Sequence, residues 1–144
     1  MNRAESITNA LSLCDNVLYQ IKKEGQMLPH KADDPDCREV VARLAGILGR
    51  RLTAYAGGAR DVREIDRWLA GEALDAGREN RFRLTLRIAE IMLKKDAPEV
   101  VQAWFIGLNP ELGDRVPLNL LREEPMEAIT DDLIAATTVM LLNG

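Results

Sequence analysis

Apolar residues recur along this chain at three- and four-residue steps, the spacing that lines one face of an α-helix. Ile7, Ala10, Leu11, Cys14, Leu18 and Ile21 form one such stripe and predict a first helix over 4–24, stopped at Gly25. The polar stretch 25–34, with Pro29 inside it, reads as a loop or linker. Asp34 and Pro35 are the residue types of an N-cap and a first helical position. Val40, Val41, Leu44, Ile47 and Leu48 supply the stripe of the helix they open. Gly46 and Gly49 weaken it and leave room for a break before Arg50, after which Leu52 and Tyr55 keep the period as far as Gly57-Gly58.

Asp61, answered three residues later by Glu64, has the form of a capping box. It opens a short helix with Ile65, Trp68 and Leu69 turned inward and Gly71 at its end. A longer helix is expected over 79–95, with Phe82, Leu86, Ile88, Ala89, Ile91 and Leu93 on a broad apolar side. Asp96 and Glu99 repeat the capping arrangement around Pro98, and Val100, Val101, Trp104 and Phe105 follow up to Gly107. Trp68 and Trp104 are both expected to be buried. Asn109-Pro110 and Leu112-Gly113 make a turn-rich connector, and Pro117 opens a short helix through Leu121. A last helix is predicted over 130–142, with Leu133, Ile134, Thr137, Met140 and Leu141 inward. No segment alternates as a strand does and no internal repeat is present, so the fold class expected is all-α, with a central helix-turn-helix-like region.

Composition agrees with helices. Of 144 residues 47% are apolar, enough for a core, yet only 4% are aromatic, fewer than sheet proteins use. No apolar run reaches the roughly 20 residues that span a bilayer. The first ten residues lack the basic-then-apolar order of a signal peptide, so a cytoplasmic location is expected, with no membrane partner. Cys14 and Cys37 are too few for a zinc framework and read as reduced, partly buried thiols. His30, the single histidine, sits beside Pro29 in the expected loop. One loop histidine does not make a Ser–His–Asp set, and the Gly57-Gly58 pair is not a phosphate loop. Glu123-Glu124 and Asp131-Asp132 are adjacent pairs, which diverge on a helix rather than converge. No catalysis, metal or cofactor is therefore expected.

The net charge of −4 is unevenly spread: residues 1–37 carry −2, residues 38–87 carry +4 and residues 88–144 carry −6. All eleven basic residues of the middle part are arginines, the side chain suited to bidentate contacts with phosphate and guanine. A helix, a glycine turn and a short helix bearing arginines match the outline of a helix-turn-helix, whose second helix enters the major groove. Arg60, Arg63, Glu64 and Arg67 form its outward-facing set and are the candidate DNA-binding residues. An ordinary short helix with a solvated charged face fits the same residues, since Asp61 and Asp66 dilute the positive field.

The stretch 101–121, VQAWFIGLNPELGDRVPLNLL, resembles the Xre/MbcA/ParS-like toxin-binding domain. In that family a helix ends near a Trp and is followed by Asn-Pro, Leu-Gly and a Pro-Leu-x-x-Leu helix. Here these fall on Trp104, Asn109-Pro110, Leu112-Gly113 and Pro117-Leu118 with Leu121. The resemblance extends over 97–144, through a final helix to Gly144. Upstream, Arg67-Trp68-Leu69-Ala70-Gly71 resembles the end of the family's Xre-like recognition helix, although the proline often found a few residues later is missing from Glu72-Ala73-Leu74-Asp75.

The resemblance implies an antitoxin that neutralises a cognate NAD-consuming toxin of the RES type and represses its own operon. Operator DNA and further copies of the chain in a homo-oligomer are the other partners it implies. It places toxin contacts on Trp104, Asn109, Pro110 and Pro117, and on the chain end Met140, Leu141, Leu142, Asn143 and Gly144. Family members often carry an apolar tail past the final glycine, so here a plug of the toxin's active site falls to residues 140–144; that end equally suits a plain helix cap. The expected division is an N-terminal helix and loop over 1–37, unassigned in role, a helix-turn-helix region over 38–95 and a toxin-binding region over 96–144. A DNA-binding regulator without a toxin, and a structural or oligomerisation module, are the alternatives.

Overall fold

A computed structural model describes residues 36–143, which form an all-α fold. The helix expected over 4–24, the loop after it, Cys14, His30 and Gly144 lie outside the described residues. Seven α-helices and one 3-10 turn follow one another, and the nearest approach to a strand among the described residues is an isolated bridge between Asn109 and Arg115.

Helix α1 spans Cys37–Leu48 and α2 spans Arg50–Ala56. The cap of α1 is Asp36, whose carboxylate accepts the Glu39 backbone N–H at 2.8 Å. The cap expected at Asp34 is thus corrected by two residues: the backbone ladder starts where Val40 donates to the Asp36 carbonyl. Val40, Val41, Leu44 and Leu48 are buried along one stripe. The expected break falls at Gly49, whose φ of 87° lies where side chains bearing a Cβ are strained. The chain turns there, and Gln102 donates to the Ile47 carbonyl at 2.8 Å, tying α1 to a later helix.

Helix α3 is only Glu64–Leu69. The expected capping box does not close on it: the cap position falls on Arg63, which makes no side-chain capping bond, and Asp61 and Glu64 instead tie the turn before the helix. Asp61 accepts from the Arg63 N–H at 2.8 Å, and Glu64 reaches back to the Arg60 N–H at 3.0 Å. Helix α4, Ala76–Leu93, begins three residues before the expected Glu79, because Asp75 caps it through the Arg78 N–H at 2.8 Å. Five consecutive residues, Phe82 to Leu86, are buried, so α4 is enclosed on all sides over that stretch. It packs against α1, α2, α5 (Pro98–Ile106) and α7 (Met126–Asn143). A charge in such a place must be paired: Arg83 is held by Glu79 one turn earlier, at 3.0 Å.

The expected capping by Asp96 and Glu99 is not what starts α5. Pro98, with no N–H to offer, occupies the first turn, so the cap position falls on Ala97. The Asp96 Oδ2 is buried with no hydrogen-bond partner among the described residues. After α5 a 3-10 turn, Pro110–Leu112, leads to α6, Pro117–Glu123. The last helix, α7, begins four residues before the expected Thr130 and buries Ile129, Leu133, Ile134, Thr137 and Leu141. Lys95 donates to the Leu141 carbonyl at 2.6 Å, placing a cation at the negative end of α7. One apolar cluster runs from Val40 to Leu141 without interruption at residue 95. No described helix is long and apolar enough to cross a membrane.

Candidate functional site

Two stretches carry the candidate residues, and the fold treats them differently. The arginine stretch lies on the turn between α2 and α3 and on α3 itself. Ile65 and Trp68 point into the core, which turns Arg63 and Arg67 outward. Trp68 packs edge-on to Phe82, with ring centroids 5.5 Å apart, and Arg78 lies over the indole at 4.8 Å. Arg63 is more open than Arg67, its side chain 86% exposed against 60%. It is nonetheless engaged: its guanidinium donates to the Asp61 carboxylate at 2.8 and 3.1 Å. Those bonds, with the Arg63 backbone N–H, hold the Asp61 carboxyl at a pKa of about 2. Arg67 meets Glu64 at 3.1 Å and Glu72 at 3.7 Å. Arg50 pairs with Asp66. The surface expected to be an arginine face is therefore a mosaic of ion pairs. Arg60 differs, since its side chain has no carboxylate partner among the described residues.

The C-terminal candidates divide into those that build the fold and those that face outward. Asn109 is buried and works inside the connector. Its Oδ1 accepts the Glu111 N–H at 2.9 Å, and its carbonyl accepts Leu112 and Asp114 at 3.0 and 2.9 Å. Gly113 and Asp114 both have left-handed backbone, φ 66° and 61°, which turns the chain back so that Arg115 faces Asn109. Pro117 is buried as the first residue of α6, and Leu141 is buried in α7. These three shape the surface without presenting a side chain on it. Pro110, Leu142 and Asn143 are exposed, and Met140 is half-buried. Trp104 is half-buried too, not buried as its place on the stripe predicts: its ring packs edge-on to Phe105 at 5.1 Å while α5 leaves one side open.

That open side is the feature the periodicity did not disclose. Val100 and Ala103 are exposed one turn apart on α5, with Trp104 beside them. Leu108, just past the closing Gly107, is 73% exposed. The sequence signal for it was an apolar residue placed after a helix stop, where turn residues are the norm.

A second surface feature lies between α2 and α6. An open groove of about 510 Å³ runs there, with Leu52, Tyr55, Val62, Ile106, Val116 and Leu118 among its lining. The Tyr55 hydroxyl and the Asn119 amide oxygen meet across it at 2.6 Å. Arg122 is fixed in the same lining, donating to the Tyr55 and Ala59 carbonyls at 3.0 Å each and stacking on the Tyr55 ring at 4.5 Å. Arg51 and Arg60 stand at its edge. No pattern in the sequence pointed to this groove, because its residues are separated by up to seventy-one positions. Among the described residues no group of three or more His, Cys, Asp or Glu side chains is placed to hold a metal ion. No family model matches the sequence, and neither a curated protein nor a solved structure does.

Proposed function

We propose that this protein is an antitoxin, a non-catalytic partner that occupies the surface of an NAD-consuming RES-type toxin. The observation that carries the reading is the uncovered apolar face of Val100, Ala103 and Leu108, flanked by Trp104. It adjoins the Asn109-Pro110 to Leu121 stretch on which the resemblance to the Xre/MbcA/ParS-like toxin-binding domain rests. Contiguous apolar side chains left open to water mark interaction surfaces. The connector that presents Leu108 is rigid, tied by the Asn109 side chain and the Asn109–Arg115 pair, so little order is lost when a partner covers it. The acidic balance of residues 88–144 favours a toxin with a basic facing surface, which speeds association more than it tightens binding. Leu142 and Asn143 are the residues of the chain end open to that partner.

The test is NAD consumption by a cognate RES-type toxin, measured with and without the full chain. The wild type suppresses it. A Val100→Asp, Leu108→Asp variant with an unchanged circular dichroism spectrum loses at least tenfold in inhibitory potency, since each fully covered apolar side chain contributes about 1.5–3 kcal/mol. A wild-type chain that leaves NAD consumption unchanged overturns the reading, as does a double variant that inhibits equally well.

Binding to operator DNA is the second reading, supported by the exposure of Arg63 and by Arg60, whose side chain meets no carboxylate among the described residues. Phosphate would have to displace the carboxylates of Asp61 and Glu64. Steeply salt-dependent binding that weakens in an Arg60→Ala, Arg63→Ala variant supports it, and salt-independent binding argues against it.

A further inference from the structure

The groove between α2 and α6 shares Arg60 with the DNA reading, but its apolar walls carry no part of that reading. Its walls are largely apolar and include Val62 and Ile106, 36% and 53% exposed. The Tyr55–Asn119 hydrogen bond and Arg122 belong to the same lining, and the Arg122 guanidinium is spent on the Tyr55 and Ala59 carbonyls. Its edge carries Arg51 and Arg60, neither of which meets a carboxylate among the described residues, against a single acid, Asp61, already bonded to Arg63. The occupant this calls for is a short amphipathic segment with an apolar stripe and a negative, lysine-free and arginine-free body.

The chain contains such a segment. Residues 4–21 include Glu5 and Asp15 and no basic residue, and Ile7, Leu11, Cys14, Leu18 and Ile21 recur at helical spacing. The fourteen residues 22–35 join it to the cap of α1. Fully extended they span at most about 46–50 Å. A body of roughly 100 residues has a radius of gyration of about 13 Å, so every face of it is within reach. Covalent attachment raises the segment's effective concentration to the millimolar range, where even a weak contact is populated. We propose that residues 4–21 dock, apolar stripe inward, into the groove between α2 and α6 of the same chain, with Glu5 and Asp15 toward Arg51 and Arg60.

Cys14, on the predicted stripe, offers the test. In the full-length chain with Cys37→Ser, a thiol is introduced on the walls, as Ile106→Cys or Val62→Cys, or at a control position outside the groove, as Asp131→Cys on α7. All three sites are exposed, which makes the variants tolerant of the change. Mild oxidation at micromolar protein, read by mass spectrometry under non-reducing conditions, measures pairing with Cys14. The expected result is an intramolecular disulfide at both wall sites, forming at least tenfold faster than at the control and at a rate independent of protein concentration. Leu11→Glu with Leu18→Glu, or Arg51→Glu with Arg60→Glu, lowers that rate several-fold. Equal rates at the walls and the control overturn the proposal. So do disulfides that form only between chains and accelerate with concentration, which would assign the groove to a second copy.

Discussion

Replacing Gly57 by alanine tests the packing that holds the α2 turn on α4. Gly57 has φ −81° and ψ 2°, a conformation open to alanine, so backbone strain is not at issue. The obstacle is Phe82. A Cβ built on Gly57 stands 2.2 Å from the ring Cζ and 2.8 and 3.0 Å from Cε1 and Cε2. Carbon atoms rest at about 3.5–4.0 Å, so the ring tip must retreat by more than about 1 Å. Phe82 is fully buried and edge-packed on Trp68, and a close-packed interior has no space to receive it. Overpacking of this kind costs about 1–3 kcal/mol, and the closeness of the contact puts Gly57→Ala near 3. For a body of this size that lowers Tm by about 12–20 °C. Calorimetry or a denaturant melt measures it. Phe82→Leu withdraws the ring tip and destabilises on its own, but the double variant should be more stable than the sum of the two losses by at least about 1 kcal/mol. Gly46 is the internal control: nothing lies within 4 Å of its added Cβ and it sits inside α1, so Gly46→Ala should stabilise by about 0.5–1 kcal/mol. A Gly57→Ala protein melting with the wild type, or strict additivity with Phe82→Leu, would refute the reasoning.

Arg122→Ala removes two hydrogen bonds from a charged donor and the contact with the Tyr55 ring, and should cost about 2–3 kcal/mol in a denaturant melt. Arg122→Lys should recover less than half of that, because an ammonium does not reach both carbonyls in one plane. Asp61 should titrate by NMR with a midpoint of about 2, and Arg63→Ala should return it toward 3.8. Since the folded value is the lower one, the contribution of this contact is present above pH 3.8 and lost as pH falls through 2. Burial, and then Glu79, push the Cys37 thiol above its ordinary value. In a Cys14→Ser chain at pH 8, Cys37 should react with a disulfide reagent more slowly than a free cysteine, and Glu79→Gln should speed it. Deleting residues 141–144 removes the buried Leu141 and the carbonyl that Lys95 holds, so the truncated chain should melt lower whatever its effect on a toxin.

The helical class, the succession of segments and most of their inner faces were legible in the sequence, because each is encoded locally. Val40, Val41, Leu44 and Leu48 lie four or fewer positions apart, and a 3.6-residue period reads directly from such spacing. The break at Gly49 was legible for the same reason, as a residue without a Cβ where the backbone needs positive φ. Boundaries were less so. Asp36 rather than Asp34 caps α1, and Ala97 rather than Asp96 precedes α5, because several residues in a row are acceptable caps and packing of the helix body chooses among them.

The candidate surfaces needed the tertiary structure. Asn109, Pro117 and Leu141 are named by motif, yet whether a motif residue faces a partner or its own core depends on what the other helices cover. The charge pattern placed eleven arginines in the middle of the chain, but only the fold shows Arg63 bonded to Asp61, Arg67 to Glu64 and Arg78 to the Gly57 carbonyl. The groove is the clearest case. Tyr55 and Asn119 are sixty-four positions apart and meet at 2.6 Å. Local patterning sets which side of each helix is apolar. How much of that side its neighbours leave uncovered is decided by helices packing together across long separations in the chain, and no local period records it.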